Sequence, residues 1–326
     1  MTAPTLEVHL TEDQLTDALR EDARAGLTSS PKWLPPKWFY DARGSELFER
    51  ITELPEYYPT RTERALLAAV AADIAKAASP SILVELGSGS SEKTALLLEA
   101  FLEHGALETY VPQDVSSSAL AAAAAQINER YPSLTVHGVV SDFTDTLHNL
   151  PHPQGDGARM IAFLGGTIGN LVPGERAEFL TGVREVLDRG EHLLLGAGLV
   201  IDPEVLVPAY DDAQGVTAEF NRNVLRVLND RLDADFEPDR FRHIALWDAD
   251  NEWIEMRLEA TEAMRAHVRD LDLTVDFAAG EQMRTEISAK FRLDGLADEL
   301  GRAGFTVAKY WTDPDDRFAL VLAAAD

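Results

Sequence analysis

The fold is decided by the stretch Ile82-Leu-Val-Glu-Leu-Gly87-Ser-Gly89-Ser-Ser-Glu-Lys93-Thr94. Its apolar first five residues predict a buried strand, and residues 92–101 predict a helix. A strand that runs into Gly-x-Gly and then a helix turns tightly, so a ligand can approach main-chain atoms. The motif alone is weak, because glycines after a strand also serve an ordinary turn. The surrounding sequence must therefore decide between the two interpretations.

On both sides of this turn the sequence alternates between strand and helix patterns. Helices are predicted at 63–77, 117–130 and 175–187, and strands at 109–112, 134–140, 160–164 and 193–196. This alternation predicts an α/β fold with a Rossmann-like, doubly wound and mostly parallel sheet. A helix at 293–303 and strands at 305–311 and 318–323 are predicted to complete it.

Two other regions interrupt this pattern and predict a second, α+β domain. Residues 202–232 have a mostly helical pattern, and residues 241–268 alternate like a β-hairpin with its turn at 248–251. A helix is predicted at 11–27, whereas the prolines and aromatic residues between 31 and 59 predict an irregular cap. Its rings form either a core edge or the wall of a ligand pocket. We expect a cofactor-binding core of residues 61–200 and 287–326, and a substrate-binding domain of residues 1–60 and 201–286.

The composition restricts the classes of function. A formal net charge of -27 disfavours nucleic acids and anionic membranes as partners, because phosphate binding requires clustered Lys and Arg. The lack of cysteine excludes disulfides, thiolate nucleophiles and iron-sulfur clusters. No apolar run reaches the roughly 20 residues of a membrane helix and the start lacks a signal pattern, so we expect a cytoplasmic protein. We also expect a monomer that acts on a small molecule without a metal.

Polar groups follow each of the first three predicted strands of the core. After the second strand, the Asp114 carboxylate can accept hydrogen bonds from both ribose hydroxyls. After the third strand, Asp142 offers a carboxylate to an exocyclic amine, and Phe143 offers a ring face to a base. Together with the glycine turn, these groups predict an adenosine site.

Acidic residues near the turn discriminate between adenosine cofactors. Glu92 stands where a dinucleotide fingerprint has its third glycine, and a pyrophosphate would meet both Glu85 and Glu92. These carboxylates disfavour NAD. S-adenosylmethionine carries a sulfonium cation instead of phosphates, and Lys93 could neutralise its carboxylate. The sequence therefore favours S-adenosylmethionine as the cofactor.

Several longer motifs resemble the histidine Nα-methyltransferases of ergothioneine biosynthesis. The motifs are Leu34-Pro-Pro-Lys-Trp-Phe-Tyr-Asp41, Leu54-Pro-Glu-Tyr-Tyr-Pro-Thr-Arg-Thr-Glu63, Val84-Glu-Leu-Gly-Ser-Gly89, Phe163-Leu-Gly-Gly-Thr-Ile-Gly-Asn170, Ala209-Tyr-Asp-Asp-Ala213, Asn221-Arg-Asn223 and Thr285-Glu-Ile-Ser288. The resemblance covers nearly the whole chain. It implies a class I methyltransferase core and three successive methyl transfers from S-adenosylmethionine to the α-nitrogen of L-histidine, giving the betaine hercynine.

The resemblance also implies roles for individual residues. Those that hold the cofactor would be Gly87, Lys93, Asp114, Asp142 and Phe143. Those that hold the substrate amino and carboxylate groups would be Tyr57, Gly165, Asn170 and Tyr210, and those that line the same pocket would be Tyr40, Phe48, Thr217 and Met256. Glu286 and Ser288 would bind the imidazole. Tyr57 is the candidate for holding or relaying the amine proton.

The spacing of Glu286 and Ser288 agrees with that role. The two residues are two apart in an extended segment, so their side chains point to one face and could address two ring nitrogens. A phenyl ring would leave such polar groups without partners, at a cost of about 1 to 3 kcal/mol. The pair therefore predicts selection of imidazole.

The chain departs from the family pattern at three places. Gly166 stands where serine is usual, and Ala197-Gly198 and Ile201 replace an Asp and a Lys. These departures bear on activity and substrate choice more than on fold. They leave open a methyltransferase for another amino acid such as tryptophan, and a catalytically impaired homologue that still binds S-adenosylmethionine. An NAD-linked oxidoreductase is a more distant alternative, which Glu92 disfavours.

Overall fold

The computed structural model describes residues 4–89, 91, 93–142, 147–153 and 157–326, without the side chain of Ser118. In chain order the elements are β1 (Thr5–Val8), α1 (Glu12–Thr28), α2 (Ala42–Glu53), α3 (Tyr58–Ala78), β2 (Ile82–Leu86), α4 (Thr94–His104), β3 (Thr109–Asp114), α5 (Ser117–Arg130), β4 (Thr135–Val140), β5 (Arg159–Phe163), α6 (Pro173–Val186), β6 (His192–Gly198), α7 (Pro203–Tyr210), α8 (Val216–Leu232), β7 (Phe241–Asp248), β8 (Trp253–Ala260), β9 (Met264–Val268), β10 (Leu273–Phe277), β11 (Gln282–Ala289), α9 (Leu293–Arg302), β12 (Phe305–Thr312) and β13 (Phe318–Ala325). They divide into two units. The first unit contains the described residues of 1–11, 62–199 and 291–326, and the second contains residues 12–61 and 200–290.

The first unit is built on one sheet with the strand order β1-β4-β3-β2-β5-β6-β13-β12. The strands from β1 to β6 pair in parallel, whereas β13 runs antiparallel to both β6 and β12. The chain leaves β2 towards β3 and later returns to the other side of β2 as β5. Such a reversal creates a crevice at the carboxyl ends of the strands, where doubly wound folds bind ligands. The predicted α/β, mostly parallel sheet is confirmed.

Apolar residues explain why this sheet forms. Every residue of β2 and of β5 is buried, as expected for parallel strands covered on both faces. Their neighbours include fully buried residues of α3 and α4, among them Leu67, Ile74 and Phe101. The glycine turn thus follows a strand that the core holds rigidly.

The second unit combines helices with two antiparallel sheets, of order β11-β8-β7 and β10-β9. Helix α8 supplies much of its core, with Phe220, Val224 and Leu228 buried. Strand β11 pairs with β8 through the register Glu286↔Met256 and Ser288↔Ile254, with an irregularity before Glu286. The two residues predicted to bind imidazole therefore do lie on one strand.

The prediction of an irregular cap between residues 31 and 59 is wrong for residues 42–53 and 58–59, which are helical. Helix α2 occupies residues 42–53, because that stretch contains no proline and begins at Asp41, whose carboxylate accepts a hydrogen bond from the Gly44 N–H at 2.7 Å. Helix α3 then begins at Tyr58, five residues before the predicted start. Pro59 falls in its first turn, where an N–H would lack an intrahelical partner in any case.

The predicted domain boundaries also differ from the two units at both ends of the second unit. Strand β1 pairs with β4, which brings residues 5–8 into the sheet of the first unit and not into the cap. Strand β11 continues to Ala289, so residues 287–290 remain in the second unit. Within the described residues, no helix is long and apolar enough to cross a membrane.

Candidate active site

The glycine turn at the end of β2 leaves open space in front of main-chain atoms. Gly87 and Gly89 have φ angles of +66° and +50°, and a Cβ at either would meet no described atom within 4 Å. Glycine is therefore needed for the backbone conformation. The Gly89 N–H donates to Asp114 Oδ2 at 3.0 Å, while Asp114 Oδ1 accepts from the Ser116 N–H at 3.0 Å. The predicted turn and carboxylate are thus adjacent.

Asp142 lies at the neighbouring strand end. The Ser141 N–H donates to the Asp114 carbonyl at 3.1 Å, which joins the ends of β3 and β4, and Asp142 follows half-buried. Phe143 and Glu92 lie outside the described residues. The structure therefore places Asp114 and Asp142 at the ends of adjacent strands, as their predicted shared role requires.

Glu85 does not face a ligand, contrary to the sequence-based argument about pyrophosphate. It is buried, and its carboxylate accepts hydrogen bonds from the Thr94 hydroxyl and, at 2.5 Å, from Tyr110 Oη. Ser91 Oγ lies 2.9 Å from the same phenol oxygen. Burial raises the pKa of Glu85 to about 7, although the hydrogen bonds from Thr94 and Tyr110 and the charge of Lys93 oppose the shift. Glu85 therefore stabilises the segment around the glycine turn through hydrogen bonds to Thr94 and Tyr110.

Lys93 has a protein partner that the sequence did not predict. Its ammonium donates to Glu63 Oε2, and Glu63 Oε1 accepts from the Gly165 N–H at 2.6 Å. Glu63 is fully buried, and a Cβ at Gly196 would overlap its Oε1. One carboxylate thus links a predicted cofactor residue, Lys93, to a predicted substrate residue, Gly165.

Gly165 and Gly166 form a left-handed turn, with φ angles of +80° and +69°. A short 3-10 helix, Thr167–Asn170, follows and presents half-buried Asn170. The glycine at 166, where the family pattern has serine, suits this conformation, because a side chain is disfavoured at positive φ. This departure is therefore compatible with the local backbone.

Glu286 and Ser288 lie buried on the same face of β11. Ser288 Oγ is 2.8 Å from Tyr210 Oη, so two predicted substrate residues are in direct contact. Burial raises the pKa of Glu286 to about 8, while the positive charge of Lys290 opposes the shift. Burial also raises the pKa of Tyr210, which keeps its phenol protonated. Met256 is buried opposite Glu286.

Aromatic rings extend this cluster. The ring centroids of Tyr57 and Tyr210 are 6.2 Å apart, as are those of Phe48 and Tyr57, and Phe48 and Tyr40 are 5.6 Å apart. Thr217 is buried in the first turn of α8, where its N–H donates to Asp212 Oδ1 at 2.7 Å. Of the predicted substrate residues, all but Gly165 and Asn170 thus belong to the second unit.

Comparison with known proteins identifies the family. The pattern of the family described as "Histidine-specific methyltransferase, SAM-dependent" matches residues 19–325. The chain is 52% identical to the histidine N-alpha-methyltransferase of Mycolicibacterium smegmatis, over 98% of both chains. The chain belongs to the histidine-specific, S-adenosylmethionine-dependent methyltransferase family. The resemblance seen in its motifs and the choice of S-adenosylmethionine over NAD are confirmed.

Two further relatives of the methyltransferase agree with this assignment. The histidine N-alpha-methyltransferase of Mycobacterium tuberculosis is 51% identical, over 97% of this chain and 98% of that protein. Ergothioneine biosynthesis protein 1 of Neurospora crassa is 36% identical over 61% of this chain and 23% of that larger protein.

Sequence reasoning missed Lys290 at this site of the methyltransferase. The side chain is buried, and its ammonium donates to Tyr210 Oη at 2.8 Å and to Ser288 Oγ at 2.7 Å. A signal was present, because Glu286, Ser288 and Lys290 alternate along one extended segment. The spacing alone does not identify a lysine as buried, because lysines are mostly exposed.

The buried His243 also contacts Tyr210, although the sequence did not identify it. Asn221 Nδ2 donates to His243 Nδ1 at 2.8 Å, so the proton lies on Nε2, which donates to the Tyr210 carbonyl at 2.8 Å. Thr285 Oγ1 donates to Asn221 Oδ1 at 2.6 Å. Burial lowers the pKa of His243, so its ring stays neutral in this relay. The relay fixes the main chain at Tyr210 against β11.

Proposed function

We propose that the enzyme transfers three methyl groups from S-adenosylmethionine to the α-amino nitrogen of L-histidine, giving hercynine in the first step of ergothioneine biosynthesis. Membership of the family and the 52% identity to a histidine N-alpha-methyltransferase support the substrate. The first unit would hold the cofactor, and the second would recognise the imidazole.

The observation that carries the proposal is the buried carboxylate of Glu286, next to Ser288 on one face of β11. Only 9% of Glu286 is exposed, and none of the described residues donates a hydrogen bond to it. A buried carboxylate without donors is costly, which its raised pKa reflects. An imidazole N–H would supply the missing donor, and Ser288 on the same face would hold the second ring nitrogen.

The cofactor would be held by the residues around the glycine turn. Its adenosine would contact Gly87, Asp114, Asp142 and Phe143, and Lys93 would attract its carboxylate while remaining paired with Glu63. S-adenosylmethionine supplies an electrophilic methyl group on a sulfonium sulfur. Because this group reacts without a metal or a covalent enzyme intermediate, the protein mainly aligns and desolvates the reacting nitrogen.

The remaining residues would orient the amino acid. Tyr57, Gly165, Asn170 and Tyr210 offer neutral hydrogen-bond groups to the substrate amino and carboxylate groups, and Tyr57 would hold the proton that the amine must lose. Edge contacts with Phe48 and Tyr210 restrict the Tyr57 ring. The pocket would also be lined by Tyr40, Phe48, Thr217 and Met256.

Two measurements test this function. Calorimetry with S-adenosylhomocysteine bound should detect L-histidine binding, and tryptophan should compete weakly or not at all. Mass spectrometry of histidine incubated with enzyme and S-adenosylmethionine should show products with one, two and three added methyl groups. Methylation of tryptophan but not of histidine would contradict the proposal, and so would cofactor binding without any methylated product.

The proposal extends to the setting of the reaction. The acidic, cysteine-free composition supports a cytoplasmic enzyme that acts on a free amino acid and does not bind nucleic acids. We expect a monomer, which sedimentation of the purified chain would test.

A further inference from the structure

Lys290 is buried next to the residues proposed to bind imidazole. It follows the last residue of β11, its main-chain N–H donates to the Glu252 carbonyl at 2.8 Å, and only 7% of it is exposed. Its ammonium forms a triangle with Ser288 Oγ and Tyr210 Oη, whose sides are 2.7 to 2.8 Å. A buried lysine needs such partners, because an isolated ammonium is costly to desolvate.

Counting protons in this triangle restricts what Ser288 can do. An ammonium only donates, so it occupies one lone pair on each hydroxyl oxygen. Between the two hydroxyls, the phenol of Tyr210 is the more acidic and therefore the better donor. When Tyr210 donates to Ser288, both lone pairs of Ser288 Oγ are filled, by Lys290 and by Tyr210. The hydrogen of Ser288 is then its only remaining group, and Ser288 can serve a ligand only as a donor.

Lys290 also acts on Glu286 through its charge. Burial raises the pKa of Glu286 to about 8, and the attraction of Lys290 opposes this rise. Burial lowers the pKa of Lys290, and the nearby Tyr58 and Glu286 oppose this lowering. The titratable groups that face Lys290 are thus Glu286, Tyr58 and Tyr210. Of these, burial raises the pKa of Tyr210, so its phenol stays neutral.

We propose that Lys290 is a positioning residue that restricts the Ser288 hydroxyl to donating and opposes protonation of the Glu286 carboxylate, so that the site selects the neutral imidazole ring. A neutral imidazole has one N–H, for the carboxylate, and one bare nitrogen, for the hydroxyl. An imidazolium has no bare nitrogen, and neither has an indole. The inference rests on the proposed function, because it assumes that Glu286 and Ser288 bind the substrate ring.

The test compares two substitutions that separate the roles of Lys290. Lys290→Met removes both the donor and the charge, whereas Lys290→Gln removes the charge but keeps an N–H donor. Lys32→Met is the matched control, because Lys32 is a half-buried lysine of the second unit, paired with Glu281 at 2.5 Å. L-histidine affinity is measured by calorimetry on the full chain with S-adenosylhomocysteine bound, from about pH 7 to about pH 10, where the free ring is neutral.

Lys290→Met should weaken histidine binding about 10- to 100-fold at neutral pH. The loss should shrink as the pH rises, because Glu286 then ionises without help from Lys290. The histidine amine titrates equally for both proteins, so the ratio of dissociation constants isolates this effect. Lys290→Gln should show the same pH dependence with a smaller overall loss. Lys32→Met and all affinities for S-adenosylhomocysteine should remain as in the wild type.

The possible failures are distinguishable. If the wild type does not bind histidine, the proposed function is wrong, and this inference falls with it. If the wild type binds histidine and Lys290→Met keeps its affinity, or loses it by the same factor at every pH, only the role of Lys290 is wrong. If Lys290→Met does not fold, as shown by lost binding of S-adenosylhomocysteine, Lys290→Gln decides the question.

Discussion

Two buried carboxylates, Glu63 in the first unit and Glu286 in the second, have opposite surroundings. Glu63 accepts hydrogen bonds on both oxygens, from Lys93 and from the Gly165 N–H. Glu286 accepts none from the described residues, and burial raises its pKa to about 8. Both side chains are buried, so a carboxylate oxygen that exchanges water for no protein partner costs free energy of folding.

The difference indicates what each carboxylate is for. A buried acid whose partners all come from the protein stabilises local structure, and here it joins the ends of two loops. A buried acid whose partners are missing lowers the stability of the free protein and gains a partner when a ligand binds. Removal of Glu63 should therefore reduce stability, and removal of Glu286 should reduce binding.

The largest expected effect is on stability, in Glu63→Gln. The change leaves the Lys93 ammonium facing an amide, and we expect the free energy of unfolding to fall by about 3 kcal/mol. Urea unfolding followed by circular dichroism measures it. Asp73→Asn, which removes an exposed partner of Lys309, is the control and should leave the unfolding midpoint in place. Equal midpoints for both variants would contradict the role given to Glu63.

The next effect is on binding, in Glu286→Gln. Loss of a charged acceptor should weaken L-histidine about 10- to 100-fold while S-adenosylhomocysteine affinity stays the same. Calorimetry of both ligands measures the two affinities. Asp276→Asn, at an exposed ion pair of the same unit, should change neither affinity. A parallel loss of both ligands in Glu286→Gln would indicate misfolding instead of a lost substrate contact.

The same Glu286→Gln variant should be more stable than the wild type at high pH. The folded protein binds the Glu286 proton more tightly than the unfolded chain does, since its pKa rises from 4.5 to about 8. The free energy of unfolding of the wild type therefore falls as the pH rises between these values, and the variant avoids this loss. We expect the variant's gain in the free energy of unfolding to be zero at about pH 4 and to grow steadily up to about pH 8. A gain that is constant with pH would disprove this explanation.

The smallest effect is expected at the glycine turn. Gly87→Ala should lower the free energy of unfolding by about 1 kcal/mol, because alanine is strained at positive φ although its Cβ has room. Gly301→Ala is the matched control, since Gly301 lies in helix α9 with equal room and no positive φ. That substitution should raise stability by a few tenths of a kcal/mol. The same sign for both variants would show that space, not conformation, selects glycine.

The parallel core was the most predictable part of the molecule. Residues 82–86 and 117–130 were predicted with their observed bounds, because the strand pattern ends at a glycine turn and the helix pattern begins at a serine cap. Helix α2 was not predicted, because prolines at 35, 36 and 55 flank it. Proline disrupts a helix only near its own position, and residues 42–53 contain none. Strand β1 could not be predicted with its partner, because its four residues alternate over too short a length and all of them are exposed.

The candidate site was predictable as a set of residues but less so as a network. Glu286 and Ser288 could be paired from their spacing, since a strand has a period of two. The partners of Lys93 and Lys290 could not, because Glu63 and Tyr210 lie 30 and 80 residues away in the chain. Only the folded structure shows which acids and hydroxyls meet these two lysines.

Strand β11 separates two kinds of requirement by simple alternation. Glu286 and Ser288 are proposed to meet the ligand, whereas Ile287 between them faces the other way, and Thr285 before them is bonded to Asn221 and to the Met256 carbonyl. Mutations at the even positions can therefore explore new amino acid substrates while the odd positions preserve the scaffold. Single substitutions at Glu286 or Ser288 could therefore change the preferred substrate while the protein remains folded.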